Sequence, residues 1–186
     1  MQTFLPYGSC FYLSATVLDN KRLNKQIVEA YQIYTDRVPN LNHPACLMWQ
    51  NHKQYLRLYI RAMVEEYHLR FGKIHRVDKE MFQVYRDWYM EQVLTLEKLP
   101  SILDHPWIRL SHIVNLIRKD PDWYLPKLES QFRFHASILC KRIPDIEEFP
   151  EGYWWHVVPV GKKARTDRFA WEEFFNGCTK TWLARN

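Results

Sequence analysis

Leu18-Asp-Asn-Lys-Arg-Leu-Asn-Lys-Gln-Ile-Val-Glu29, continuing through Ala30-Tyr31-Gln32, carries its apolar residues at a helical period of about 3.6. Leu23, Ile27, Ala30, Tyr31 and Tyr34 fall along one side, and Arg22, Lys25, Gln26, Glu29 and Gln32 along the other. The spacing predicts an amphipathic helix that starts after Asp19, a residue suited to accept the first free N–H groups, and ends near Arg37, before Pro39. On spacing alone the plainest reading of its polar face is a solvated surface with Glu29 paired to Lys25 at i, i+4.

The same period continues along the chain. Asn42-His-Pro44 reads as a cap with proline in the first turn. Trp49, Leu56, Tyr59, Ile60, Met63, Val64 and Tyr67 then define a long helix to Phe71-Gly72. Asp78 is placed to cap a third, with Met81, Val84, Tyr85, Trp88 and Val93 on its inner side. Trp107 to Lys119 reads as a further helix, stopped by Asp120-Pro121. Residues 1–17 read as an extended lead-in. After Pro144 the texture changes: an acidic turn, a β-prone run from Gly152 to Pro159, a basic loop at Lys162-Lys-Ala-Arg165, and a last helix from Asp167 to Ala184. The expectation is a mainly α fold: one compact single-domain helical bundle over 1–186, with an irregular, partly β-prone C-terminal third.

Composition narrows the functional classes. Aromatics make up 16% of the 186 residues, which is incompatible with a disordered chain. A net charge of +5 favours an anionic partner, of which nucleic acid is the commonest. Five glycines and no G-x-x-x-x-G-K or G-x-G-x-x-G exclude the usual phosphate-binding loops. Cys10, Cys46, Cys140 and Cys178 are scattered and read as free thiols, not a zinc site or disulfide framework. Glu65-x-x-His68 has no second copy, so no metal is expected. With no long apolar run and no secretory leader, the expected location is the cytoplasm, without membrane attachment.

Three segments carry chemistry. Glu29 is a lone carboxylate among Lys21, Arg22, Lys25 and Gln26, close behind Met1-Gln-Thr-Phe-Leu-Pro-Tyr7. A basic face grips phosphates, and a glutamate beside an N-terminal amine can drive imine chemistry on a sugar. His112, Asn115, Arg118 and Lys119 share a helical side that could contact successive phosphates, with Trp123-Tyr124 beyond it to stack on a base. The alternative is a helix end whose dipole is complemented by cations, followed by core aromatics. His43 could touch DNA, although a capping histidine above a core Trp49 is the simpler reading.

Taken in order, L-D-x-x-R-L-x-K-Q-x-x-E behind M-x-T-F-L-P-Y, then N-H-P-A-x-x-M-W, then S-H-x-x-N-L-x-R-K-D-P-x-W-Y resembles the pyrimidine-dimer DNA glycosylase family, the phage endonuclease V type and its bacterial relatives. The resemblance spans roughly residues 1–126, leaving 127–186 as an extension of unassigned role. It implies a helical enzyme that excises a base from double-stranded DNA containing a damaged or modified base and then nicks the abasic strand, as a monomer without a cofactor. It implies an N-terminal α-amine as nucleophile, here on Met1, and Glu29 as the essential carboxylate. The DNA-facing set then comprises Gln2, Lys21, Arg22, Lys25, Gln26, His43, His112, Asn115, Arg118, Lys119, Trp123 and Tyr124. Two other readings remain open at this point: a non-catalytic nucleic-acid-binding protein on the same scaffold, and an interaction protein docking through its aromatic C-terminal third.

Overall fold

Helices form where apolar residues recur at helical spacing, in a computed structural model of the chain that describes residues 3–82, 84, 103 and 106–140. In chain order they are α1 (Phe11–Val17), α2 (Asn20–Tyr34), α3 (Pro44–Leu47), α4 (Lys53–Phe71), α5 (described over 76–82), α6 (Pro106–Lys119) and α7 (Pro121–Cys140). No strand occurs among the described residues, so the fold is mainly α. The β-prone run and the last helix expected after Pro144 lie outside the described residues, as does the span of α5 beyond residue 84. The chain divides into two compact units, Met1–Phe4 with Ser9–Ser101, and Leu5–Gly8 with Ile102–Asn186.

In the first unit α2 begins as its sequence predicts. Asp19 Oδ1 accepts the Arg22 N–H at 2.9 Å, and its Oδ2 pairs with Arg22 Nη1 at 2.5 Å. Leu23, Ile27, Ala30 and Ile33 are buried, and α2 packs on α4. The long helix expected over 42–71 is divided. His43 caps α3, its Nδ1 accepting the Ala45 N–H at 3.2 Å, and the chain breaks around Trp49 before α4 starts. That break turns Trp49 into the core, where Phe11, Trp49 and Tyr59 meet with ring centroids 5.6–6.3 Å apart. Gly72 ends α4 in the left-handed region at φ 60°, its N–H bonded to His68 O at 2.8 Å. The third long helix starts at residue 76, not at Asp78, because His75 Nδ1 accepts the Val77 N–H at 3.1 Å. Tyr31, assigned by spacing to the apolar face, is half-buried and donates from its hydroxyl to Glu80 at 2.5 Å.

The lead-in, expected to be extended, contains a helix. α1 is too short to hold itself together, and its last carbonyls are left without helical partners. Arg70, at the end of α4, supplies them: Nη2 donates to Ala15 O at 3.2 Å and Thr16 O at 2.9 Å, and Nη1 to Leu18 O at 2.6 Å. Glu66 fixes the same guanidinium at Nε, 2.6 Å away. The decisive residue is over 50 positions away in sequence, so no local pattern marks the helix.

In the second unit Asp120 alone separates two helices. Its N–H closes the end of α6 on Leu116 O and Ile117 O, and its Oδ1 accepts the Trp123 N–H at 3.2 Å to cap α7. Pro121 therefore stops one helix and occupies the first turn of the next. Every residue from Leu110 to Ile117 is buried. Tyr124, Leu128, Phe132 and Ala136 of α7 are buried too, and α7 packs along α6. Gly8, at φ 59°, closes a turn by donating to Leu5 O at 3.0 Å.

Arg70→Met, which retains the length of the stem but removes the donors, should lower the unfolding free energy by about 2 kcal/mol, the range for charge-assisted bonds to carbonyls. Denaturant melts measure this. A loss below about 0.5 kcal/mol, the level of ordinary surface substitutions, would show that α1 does not depend on this clamp.

Candidate active site

The segment behind the N-terminus is buried, and a buried backbone must find partners. Thr3 is fully buried, and its Oγ1 accepts the Trp49 indole N–H at 2.8 Å. The Phe4 N–H donates to Gln26 Oε1 at 2.8 Å. Tyr59 donates its hydroxyl to the same Oε1 at 2.7 Å, with Phe4 O within reach at 3.1 Å. A core tryptophan, a helix α2 glutamine and a helix α4 tyrosine thus hold residues 3 and 4 by their polar atoms. Gln26 is 2% exposed. It belongs to this clamp and not to a solvent-facing polar stripe. Its position sits at the edge of the apolar arc of α2, where a long amide can turn inward toward donors that a helix wheel does not display.

Glu29 lies one turn beyond Lys25, and the two are 3.6 Å apart. The carboxylate side chain is 14% exposed and the Lys25 side chain 67%, so the pair has one sheltered and one solvated member. An ion pair so largely in water contributes only a few tenths of a kcal/mol. The charge of Glu29 reaches inward as well. Burial holds the His43 imidazole below its ordinary range, helped by the positive charge of the N-terminus, while Glu29 pulls it the other way. Burial pushes the Tyr59 hydroxyl well above its ordinary value, the Phe4 backbone opposes this, and Glu29 adds to the rise. Glu29 therefore acts on a neighbourhood of a capping histidine and a buried phenol. Ile33, one turn further along α2, lines a cleft of about 330 Å³ with Asp36, Leu41, Cys46, Gln50 and Lys53. Lys53 bridges its rim, donating to Asp36 Oδ2 at 2.5 Å and to Tyr34 O at 3.0 Å. Burial raises the Cys46 thiol, so it stays protonated and unreactive.

The remaining candidates divide by exposure. Lys21, Lys25 and Lys119 are exposed, and Arg22, His43, Arg118 and Trp123 are half-buried. His112, Asn115 and Tyr124 are buried at 4%, 2% and 0%. His112 accepts the Leu5 N–H on Nδ1 at 2.8 Å, so its proton sits on Nε2. Helical spacing makes these three a phosphate-facing and stacking set, and their burial corrects that orientation. The stretch of α6 from Leu110 to Ile117 is enclosed on all sides, which makes its polar residues internal partners. Lys127 Nζ stands 3.8 Å from the centre of the Trp123 ring and donates to Trp123 O at 3.1 Å. Met1 and Gln2 lie outside the described residues. Among the described residues no group of three His, Cys, Asp or Glu could hold a metal ion, and no helix is long and apolar enough to cross a membrane.

Gln26→Leu should strand the buried Phe4 N–H and leave the Tyr59 hydroxyl only its longer contact to Phe4 O, at a cost of about 1–3 kcal/mol. Hydrogen exchange at the Phe4 amide should rise with it. An unchanged Phe4 exchange rate would rule out the clamp.

Residues 1–80 match the model of a protein family described as pyrimidine dimer DNA glycosylase. No curated protein and no solved structure matches the chain. The matched stretch contains the Met-x-Thr-Phe-Leu-Pro-Tyr start, the Asp19-to-Glu29 motif and the Asn42-to-Trp49 motif, together with Trp49 and Tyr59 of the clamp. Over residues 1–80, therefore, the chain is similar to the pyrimidine dimer DNA glycosylase family, in the stretch that carries the first two ordered motifs.

Proposed function

We propose that this protein is a DNA repair glycosylase with associated AP-lyase activity, acting on double-stranded DNA that contains a damaged or modified pyrimidine through an amine at Met1. The observation that carries the reading is the clamp on Thr3 and Phe4, two and three residues behind that amine, in which Gln26 stands on the helix that bears Glu29. A nucleophile on a chain end is ordinarily too mobile for efficient attack. Tying the Thr3 hydroxyl to Trp49 and the Phe4 backbone to Gln26 and Tyr59 removes much of that freedom before substrate arrives.

An α-amine has a reference pKa of about 7.7–8.0, so an appreciable fraction is neutral near pH 7. Its lone pair attacks C1′ of the damaged nucleotide, the C1′–N bond breaks, and the base leaves with the bonding pair and takes up a proton. Loss of a proton from the amine and opening of the sugar ring leave an iminium joining the protein to C1′. Glu29 stabilises the cationic sugar as the base departs. It then removes a proton from C2′, and the electrons expel the 3′ phosphate, which nicks the strand. Lys21, Arg22, Lys25, Arg118 and Lys119 supply salt-sensitive contacts to the backbone. Gln26, His112, Asn115 and Tyr124 act from beneath, as partners of the chain. Reaching the base requires unstacking a nucleotide, which costs least at a lesion. The proposed location is the cytoplasm, and the proposed working form a monomer.

Borohydride added to a mixture with abasic-site duplex should trap a covalent adduct through the N-terminal amine. Glu29→Gln should lower strand scission by about 10²–10⁴-fold, the usual range for a positioned acid–base group, with DNA binding retained. Salt-sensitive binding with no adduct, or an adduct that survives acetylation of the N-terminus, would favour a non-catalytic binding protein or a different nucleophile.

A further inference from the structure

His135 on α7 is the buried titratable group for which neither the fold nor the proposed chemistry has accounted. It is 4% exposed, and neither ring nitrogen has a hydrogen-bond partner. A neutral imidazole carries one donor and one acceptor, so its burial without partners is costly and asks for a reason. The charged group acting on it is Arg109 of α6, and together with burial it holds the imidazole below its ordinary 6.5, burial being the larger cause. Arg109 has a second task. Its Nη2 donates to Tyr7 O at 3.3 Å, while His112, one turn along the same helix, takes the Leu5 N–H on Nδ1 at 2.8 Å. These two side chains hold both ends of the Leu5–Gly8 turn on α6. On α7 the Arg133–Glu129 pair is largely solvated, with side chains 60% and 47% exposed.

We propose that His135 is a proton-sensitive positioning residue for the N-terminal lead-in. While neutral, it leaves Arg109 on the Tyr7 carbonyl. Once protonated, it places a buried cation in the field of the half-buried Arg109 and drives the guanidinium off that carbonyl, which loosens the Leu5–Gly8 turn. The direction follows from linkage. The docked state prefers the neutral imidazole, so docking is complete above the ordinary value of 6.5 and weakens as pH falls below it. The leverage on catalysis rests on the proposed role of the N-terminal amine, since Leu5 follows Phe4 directly. Loosening of the turn does not rest on it.

Hydrogen exchange on the intact protein tests the two parts separately. Between pH 7.5 and 5.5, after correction for intrinsic rates, exchange at the Leu5 and Gly8 amides should accelerate by about tenfold, equivalent to about 1.4 kcal/mol of docking free energy. His135→Phe, neutral at every pH, should flatten that profile. His135→Gln gives a second neutral variant if the phenylalanine packs badly. Borohydride trapping on abasic-site DNA should fall over the same interval in the native protein and fall less in His135→Phe. Equal acceleration in the native and both variant proteins would assign the effect to His112 and overturn the proposal. A flattened exchange profile with no trapping in any protein would uphold the switch and reject the amine mechanism.

Discussion

One oxygen organises the first unit. Gln26 Oε1 accepts from the Phe4 N–H at 2.8 Å and from the Tyr59 hydroxyl at 2.7 Å, and it does so in a fully packed interior. Without it the Phe4 N–H would be buried without a partner, a larger penalty than the bond itself contributes in net stability, and the Tyr59 hydroxyl would keep only its contact to Phe4 O. The constraint acts in both directions. It fixes where the lead-in runs, because residue 4 must lie between α2 and α4. It also fixes the register of α2 on α4, because Gln26 must reach Tyr59 while Leu23, Ile27 and Ala30 stay in the apolar contact. Glu29 inherits its place from that register.

Much of this was legible in the sequence, and the failures have physical causes. The Asp19 cap and the apolar stripe of α2 depend on neighbours within a turn or two, so local spacing conveys them. The inward turn of Gln26 depends on a donor 22 residues away, and the clamp on α1 depends on Arg70. Periodicity has no access to such partners. His112 and Asn115 show the limit of the helical wheel from the other side. A polar stripe predicts a wet face only when one face of the helix stays open, and α6 between Leu110 and Ile117 has none. His43 is readable as a cap because proline and a short turn follow it at once. The family resemblance was legible from ordered motifs, and the family match covers the N-terminal ones, up to Trp49.

Polar residues at the buried sites share a pattern. Gln26, His112 and Thr3 each offer an acceptor to an N–H, two of them backbone groups of the lead-in and one the indole of Trp49. The interior therefore directs its few polar side chains to a segment that forms neither helix nor strand. That is the expected location for buried polarity, since helices satisfy their own backbone and an irregular segment cannot.

The lead-in is also held by contacts of large sequence separation. Its partners follow 22 residues later at Gln26, 46 at Trp49, 55 at Tyr59 and 107 at His112. Closing such loops costs entropy that grows only slowly with length, so the distant contacts are tolerable at equilibrium. In time they are not equivalent, because long-range contacts form late. The geometry of residues 3–5 therefore depends on the class of contact whose loops are the longest to close, and a change at Gln26, Trp49 or His112 acts on a segment far from it in sequence.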